Sequence, residues 1–124
     1  MNTEELKCYL LVPLQKLFRE KMGPWQVGDH YLFSGEEFLI KDEGHLCVLN
    51  GWYFLNKDYL RLPLPIDRDN PERGLWGMVD GQWGKSIHEY KGEYRFSNGK
   101  VHGQGDTPTL ALLKALAAQE GIEI

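Results

Sequence analysis

Apolar residues near the start of the chain recur every three or four positions, which is the spacing of one face of an α-helix. They are Leu6, Leu10, Leu14, Leu17, Phe18 and Met22. Thr3, followed by two glutamates, offers a capping hydroxyl at the start, and Gly23-Pro24 ends the segment. Because Pro13 interrupts the stripe, either one helix kinks there, or a short first turn ends near Leu11 and the main helix begins at Pro13.

Between Trp25 and Phe96 the pattern changes to short extended segments separated by turn residues, which predicts β-strands. The predicted strands cover 26–33, 36–41, 46–49, 52–55, 59–62, 75–79 and 87–96. Asn50-Gly51 is the best hairpin signal, because asparagine and glycine tolerate the positive φ angles of a type I′ turn. A second such pair, Asn98-Gly99, turns the chain into an extended segment at 101–102.

The C-terminal segment has the clearest helical pattern. Thr107 provides a capping hydroxyl before Pro108 in the first turn, and Asp106 adds favourable charge at the positive end of the helix dipole. A wide apolar face follows, made of Leu110, Leu112, Leu113, Leu116 and Ala117, and Gly121 ends it.

These segments together predict one α+β domain. A chain of 124 residues is the usual size of a single domain and too short for two ordinary ones. We predict that residues 1–124 form an N-terminal helix, a mostly antiparallel sheet of about five or six strands, and a C-terminal helix packed on the sheet.

Charge and hydropathy argue against two classes of partner, nucleic acids and membranes. The net charge is −4 and the charges are interspersed, whereas binding to nucleic acid needs a concentrated cationic face. The apolar runs are far too short to span a membrane, and the acidic start is unlike a signal peptide. We therefore expect a cytoplasmic protein with neither a nucleic-acid nor a membrane partner.

No residue spacing is typical of a metal or catalytic site. The four histidines are His30, His45, His88 and His102, and no pair of them has the spacing of zinc ligands. Cys8 lies in an apolar helical run and Cys47 in a predicted strand, as small buried residues do. Gly103-Gln104-Gly105 lacks the spacing of a phosphate loop, so we interpret it as a glycine turn before the last helix. We expect no metal, no cofactor and no catalytic residue.

Two segments resemble small uncharacterised proteins carried by phages and prophages. One is Gly103-Gln104-Gly105-Asp106-Thr107 with the leucine-rich helix and closing Glu-Gly that follow it. The other runs from Leu64-Pro65-Ile66-Asp67 to Asn70-Pro71-Glu72-Arg73-Gly74-Leu75-Trp76-Gly77. The likeness covers roughly half the chain. It implies an accessory gene product, acting in the host cytoplasm, rather than a housekeeping enzyme, and it brings no functional residues.

The stretch 62–77 is the least ordinary part of the sequence. Its prolines stiffen it and exclude it from central strands, so we expect it at the surface or along a sheet edge. A restrained, charged loop beside an aromatic residue loses little entropy on binding. The candidate binding residues are Arg61, Asp67, Arg68, Asp69, Arg73, Trp76 and, after the predicted hairpin turn, Trp52.

Arginine binds carboxylate or phosphate oxygens bidentately, and tryptophan can stack on a ligand, so the expected partner of this loop is an anionic ligand or an acidic surface. Replacing Arg73 or Trp76 by alanine would then abolish binding and leave the melting temperature nearly unchanged. The alternative is that Asp67 and Asp69 pair with Arg68 and Arg73 merely to hold the shape of the loop.

The expected function is non-enzymatic binding. We expect a phage accessory or counter-defence protein that engages a host protein or sequesters a small anionic host molecule. A small hydrolase or transferase whose carboxylates converge only in the fold is one alternative, and a component of virion assembly is another. Homo-oligomer formation stays open.

Overall fold

The computed structural model of the chain describes residues 1–52, 59–81 and 84–124. Within these residues the fold is α+β, as predicted. The helices are α1 (Thr3–Tyr9), α2 (Val12–Met22), α3 (Glu43–Trp52), α4 (Leu75–Met78) and α5 (Pro108–Gln119). The strands are β1 (His30–Phe33), β2 (Glu36–Leu39), β3 (Leu60–Arg61), β4 (Ser86–Tyr90), β5 (Glu93–Ser97) and β6 (His102–Gly105). They form two antiparallel three-stranded sheets, so the prediction of one sheet of five or six strands is wrong.

The N-terminal apolar stripe forms two helices and not one kinked helix. α1 begins after Asn2, whose side chain accepts a hydrogen bond from the Glu5 N–H at 2.8 Å, so Asn2 rather than Thr3 is the cap. Pro13 lies in the first turn of α2, where its missing N–H leaves no helical bond unmade. Gly23, at φ 69°, ends α2 in the left-handed region that glycine tolerates.

The first sheet has the strand order β2-β1-β3, with β1 in the centre. Tyr31 of β1 pairs with Phe38 on one side and with Arg61 on the other. Tyr31, Ile40 and Leu49 form a small buried cluster that joins this sheet to α3.

Helix α3 occupies the segment that was predicted to form an aromatic hairpin. The Asp42 carboxylate accepts a hydrogen bond from the His45 N–H at 2.8 Å, which caps the start of the helix. Leu46 and Leu49, three residues apart, both pack in the small cluster against the first sheet. Helical spacing of the apolar residues and the aspartate cap therefore prevail over the turn preference of Asn-Gly.

This helix corrects several predictions. Asn50-Gly51 lies in the last turn of α3 and not in a hairpin, and the predicted strand 46–49 is helical. Cys47 is exposed rather than buried. Trp52 ends the helix, and residues 53–55 of the strand predicted to follow lie outside the described residues.

The second sheet has the strand order β4-β5-β6. The segment 87–96, predicted as one strand, forms two strands that are joined by a turn at Lys91 and Gly92, which have φ angles of 53° and 78°. The predicted turn at Asn98-Gly99 is confirmed, and it leads into β6.

Helix α5 packs directly on the second sheet, as predicted. The Thr107 hydroxyl accepts a hydrogen bond from the Leu110 N–H at 3.0 Å and caps the helix. A Cβ atom on Gly103 would lie 1.9 Å from the Ala111 carbonyl oxygen, and one on Gly105 would lie 2.6 Å from Leu110 Cγ. The two glycines thus lie within β6 and let α5 approach the backbone of the strand, and they are not a turn before the helix.

The segment 75–79, predicted as a strand, is the short helix α4, preceded by a turn of 3-10 helix at Pro71–Arg73. A Cβ atom on Gly77 would lie 1.8 Å from the Pro71 carbonyl oxygen, so α4 folds back closely on that turn. Among the described helices, none combines the length and apolar character that crossing a membrane requires.

Candidate functional site

The chain between β3 and α4 runs over the surface, as predicted, and is called the Pro-loop here (residues 62–74). Leu62 is buried, and the chain then emerges so that Leu64 and Ile66 are 40% and 60% exposed. Two backbone hydrogen bonds fasten it to the start of α4. Leu75 N–H donates to the Leu64 carbonyl at 2.8 Å, and Trp76 N–H donates to the Pro65 carbonyl at 2.9 Å.

The tip of the Pro-loop is held by one carboxylate. Asp67 Oδ1 accepts hydrogen bonds from the Asp69 N–H at 3.1 Å and the Asn70 N–H at 2.9 Å, in the manner of an Asx turn. Gly74 lies against the same residue, because a Cβ atom there would be 2.7 Å from the Asp67 nitrogen. The loop therefore has a defined shape independent of any partner.

Beneath the loop, Arg73 forms a buried bidentate ion pair with Asp29. Arg73 Nη1 lies 2.6 Å from Asp29 Oδ1, and Nη2 lies 2.8 Å from Oδ2. Arg73 Nε donates to the Met22 carbonyl at 3.0 Å. The hydrogen bonds to Asp29 raise the pKa of Arg73, so the guanidinium is firmly charged.

Arg61 lies beside this ion pair. Its Nη2 donates to the Gly23 carbonyl at 2.7 Å, its guanidinium lies 3.8 Å from the ring centroid of Trp25, and Nη1 lies 4.0 Å from Asp29 Oδ2. The side-chain amide of Gln15 forms two hydrogen bonds with the backbone of Arg61. It accepts from the Arg61 N–H at 2.8 Å and donates to the Arg61 carbonyl at 2.9 Å. Burial lowers the pKa of Arg61 to about 10.

The structure thus brings Arg61 and Arg73 together, but inside the protein and around Asp29. Both side chains are buried, at 6% and 5% exposure, so neither guanidinium is open at the surface to receive an anion. Arg61 Nη1 is itself buried and has no hydrogen-bond partner among the described residues. Arg73 also pairs with Asp29 rather than with Asp67 or Asp69, and the shape of the loop is held by a contact that the sequence did not indicate.

Of the two tryptophans named as candidates, Trp76 packs against the main core. The Trp76 ring packs edge-on against Phe96, with centroids 5.5 Å apart, and belongs to the rim of the main core. Lys85 Nζ donates to the Trp76 carbonyl at 2.6 Å. Trp52 is the last residue of α3. Of the predicted candidates, Asp67, Arg68 and Asp69 remain together on the loop.

Two adjoining depressions lie beside the Pro-loop, with volumes of about 130 and 240 Å³, and both are lined by His30, Leu62 and Leu64. Three carboxylates line the first, those of Asp29, Asp67 and Asp69, and its one guanidinium is that of Arg73. Glu5 and Glu37 line the second, to which no arginine or lysine among the described residues contributes.

We call this region the Pro-loop surface. It consists of Leu64, Ile66, Asp67, Asp69 and Glu37. His30 Nδ1 lies 3.5 Å from Glu37 Oε1 and links the two depressions. Because Arg73 is already neutralised by Asp29, the surface is acidic, with exposed aliphatic side chains at its rim.

Sequence reasoning missed Asp29, His30 and Glu37. His30 lies in β1, Glu37 lies in β2 and Asp29 directly precedes β1, and none of them stands out as a polar residue in the sequence. Their proximity to the Pro-loop follows from the pairing of β1 with β2 and β3, which no local pattern encodes. In the part of the chain that the structure describes, no three His, Cys, Asp or Glu side chains converge in a way that would hold a metal ion.

Comparison of the chain with protein-family models, with curated proteins and with solved structures finds no match.

Proposed function

We propose that the protein is a non-enzymatic binding protein and that it engages another protein through the Pro-loop surface. The observation that supports this most is that Ile66 and Asp69 place an exposed aliphatic side chain and an exposed carboxylate on one short loop, which a buried ion pair fixes from beneath. Following the resemblance noted in the sequence, we further propose a phage accessory protein whose partner is a host protein.

Rigidity favours binding at this loop. Ordering a flexible loop at an interface costs binding free energy, and a loop whose backbone is already fixed avoids much of that cost. Covering an exposed isoleucine contributes about 1.5–3 kcal/mol when its side chain becomes fully buried. Ile66 and Leu64 together offer such a contact, and their backbone is already held by the bonds to α4.

The charge of the surface indicates a basic partner. Asp67, Asp69 and Glu37 lie on it, whereas Arg61 and Arg73 are turned inward. Arg68 is exposed on the same loop, and the three carboxylates outweigh its single positive charge. A lysine or arginine of the partner would find carboxylates for its charged head and Leu64 for its aliphatic stem. The proposed partner of the loop is therefore positively charged, whereas the sequence suggested a negatively charged one.

A protein partner suits the depressions better than a sequestered small molecule does. Their volumes of about 130 and 240 Å³ fall below the ~300–1,000 Å³ of typical small-molecule pockets. An enzyme with converging carboxylates is less well supported, because Asp29 is engaged by Arg73 and Asp67 accepts two backbone hydrogen bonds. An assembly role in a virion would use the same surface with a virion protein as partner.

A photo-crosslinking residue placed at position 66 tests the proposal in the host cell. Ile124 provides the matched control position, because its side chain is 62% exposed, close to the 60% of Ile66, and it lies far from Ile66 in the sequence. We expect one dominant protein adduct from position 66 that is missing from position 124. Equal adducts from both positions, or none from position 66, would contradict the proposal.

A further inference from the structure

The second sheet has one face that α5 covers and one that is exposed. Phe96, Gly103 and Gly105 point to the covered face, where they meet the main core and the helix. Because side chains alternate along a strand, the neighbouring residues point to the other face. His88, Arg95 and Gln104 all lie there and are all exposed.

These three residues form a row across the sheet. His88 of β4 is paired in register with Arg95 of β5, and Arg95 is paired with Gln104 of β6. Neighbouring strands lie about 4.8 Å apart, so the three side chains are evenly spaced along the row. Ser97 and His102, paired with each other, form the start of a second row on the same face.

The two rows line a concave region of about 510 Å³. In the part of the chain that the structure describes, the polar side chains of its lining are His88, Arg95, Ser97, His102 and Gln104, with no carboxylate among them. This volume lies within the ~300–1,000 Å³ range of small-molecule sites, unlike the two depressions at the Pro-loop.

We propose that this exposed sheet face is a binding site for a small organic phosphate. The lining is rich in hydrogen-bond donors: the guanidinium of Arg95, the amide of Gln104, the imidazoles and the Ser97 hydroxyl. A carboxylate would be satisfied by Arg95 alone, whereas the three oxygens of a phosphoryl group can accept from Arg95 and from donors on both sides of it. The rest of the concave region holds the organic part of the ligand.

One acidic residue competes for the central arginine. Glu93 lies two residues from Arg95 on the same face, and its Oε1 is 3.8 Å from Arg95 Nε. The side chains of Arg95 and Glu93 are 62% and 35% exposed, and the buried Oε1 of Glu93 forms no hydrogen bond to Arg95. A pair at this distance, with one partner largely exposed, is weak. The terminal nitrogens of the guanidinium therefore remain for a ligand, and removing the Glu93 charge strengthens phosphate binding.

The test is a titration of the full chain with inorganic phosphate and with phenyl phosphate, followed by amide nitrogen–proton NMR spectra. We expect saturable shifts at the amides of residues 95–97 and 102–104, with tighter binding of phenyl phosphate. Arg95→Gln lowers the affinity by about tenfold or more, and Glu93→Gln raises it by a few-fold. Arg68→Gln is the matched control, since it removes the same exposed charge from the Pro-loop, and it leaves the affinity unchanged.

Three results would overturn the proposal. One is the lack of saturable shifts at these amides with either probe. Another is an affinity for phenyl phosphate that Arg95→Gln and Arg68→Gln lower equally, which would indicate only general charge attraction. Binding of inorganic phosphate without binding of phenyl phosphate would overturn the assignment of an organic phosphate. Melting temperatures of the variants confirm that each is folded.

Discussion

Arg73 and Asp29 are 44 residues apart in the sequence and form a buried ion pair with two short hydrogen bonds. The side chains are only 6% exposed. Because Arg73 also donates to the Met22 carbonyl, this one side chain joins the end of α2, the approach to β1 and the underside of the Pro-loop. The Pro-loop surface therefore depends for its shape on a contact that is itself hidden from a partner.

We predict that Arg73→Ala destabilises the protein by about 3–5 kcal/mol, since removing one member of a buried pair leaves the other charge buried without compensation. Arg68→Ala, on the exposed side of the same loop, changes the free energy of unfolding by no more than about 0.5 kcal/mol. Urea unfolding of both variants measures the difference. A loss below about 1 kcal/mol for Arg73→Ala would mean that Arg73 is free, as the sequence alone suggested.

A second prediction concerns the contact of α5 with β6. Gly103→Ala introduces a Cβ atom 1.9 Å from the Ala111 carbonyl oxygen, so the helix must shift, at a cost of about 1–3 kcal/mol or more. Gly44→Ala is the control. Gly44 lies in α3, where a new Cβ atom would make an ordinary van der Waals contact with Asp42 at 3.4 Å and where alanine favours the helix. In urea unfolding, the free energy of unfolding should fall for Gly103→Ala and rise for Gly44→Ala, each relative to the wild type. Equal stability of Gly103→Ala and wild type would place α5 elsewhere.

The parts of the fold that the sequence predicted well are those with local signals. The Thr107-Pro108 start of α5, the end of α2 at Gly23 and the turn at Asn98-Gly99 each depend on a few neighbouring residues. The mistakes arose where two local signals compete. At Asn50-Gly51 the turn preference was judged stronger than the Asp42 cap and the Leu46–Leu49 spacing, and the helix prevailed because those leucines pack on the first sheet.

The candidate site was only partly predictable for a different reason. The stiffness and exposure of the Pro-loop follow from its prolines, which the sequence displays. Whether Arg73 points outward or inward depends on Asp29, and the two meet only because β3 pairs with β1. The row of His88, Arg95 and Gln104 likewise requires the register of three strands, two of which had been predicted as one.

The thiols provide an independent check on the placement of α3. Cys47 is exposed and Cys8 is buried, and burial raises the pKa of the Cys8 thiol, which disfavours its reactive thiolate. We predict that a thiol-specific chromogenic reagent modifies Cys47 quickly in the native protein, and Cys8 only after denaturation. Cys47→Ser removes the fast phase. A native protein in which both thiols react quickly, or neither does, would contradict the described placement of α1 or α3.

The central claim is that the Pro-loop surface binds a protein partner through Ile66 and the carboxylates beside it. The most direct measurement uses the partner that crosslinking identifies, purified, and compares its dissociation constants for Ile66→Ser and Ile124→Ser, which place the same neutral substitution at two similarly exposed isoleucines. We predict that Ile66→Ser weakens binding by at least about tenfold, because it loses most of the ~1.5–3 kcal/mol that burial of the side chain contributes. Ile124→Ser should bind like the wild type, and both variants should melt at the wild-type temperature. Equal dissociation constants for the two variants would contradict the account.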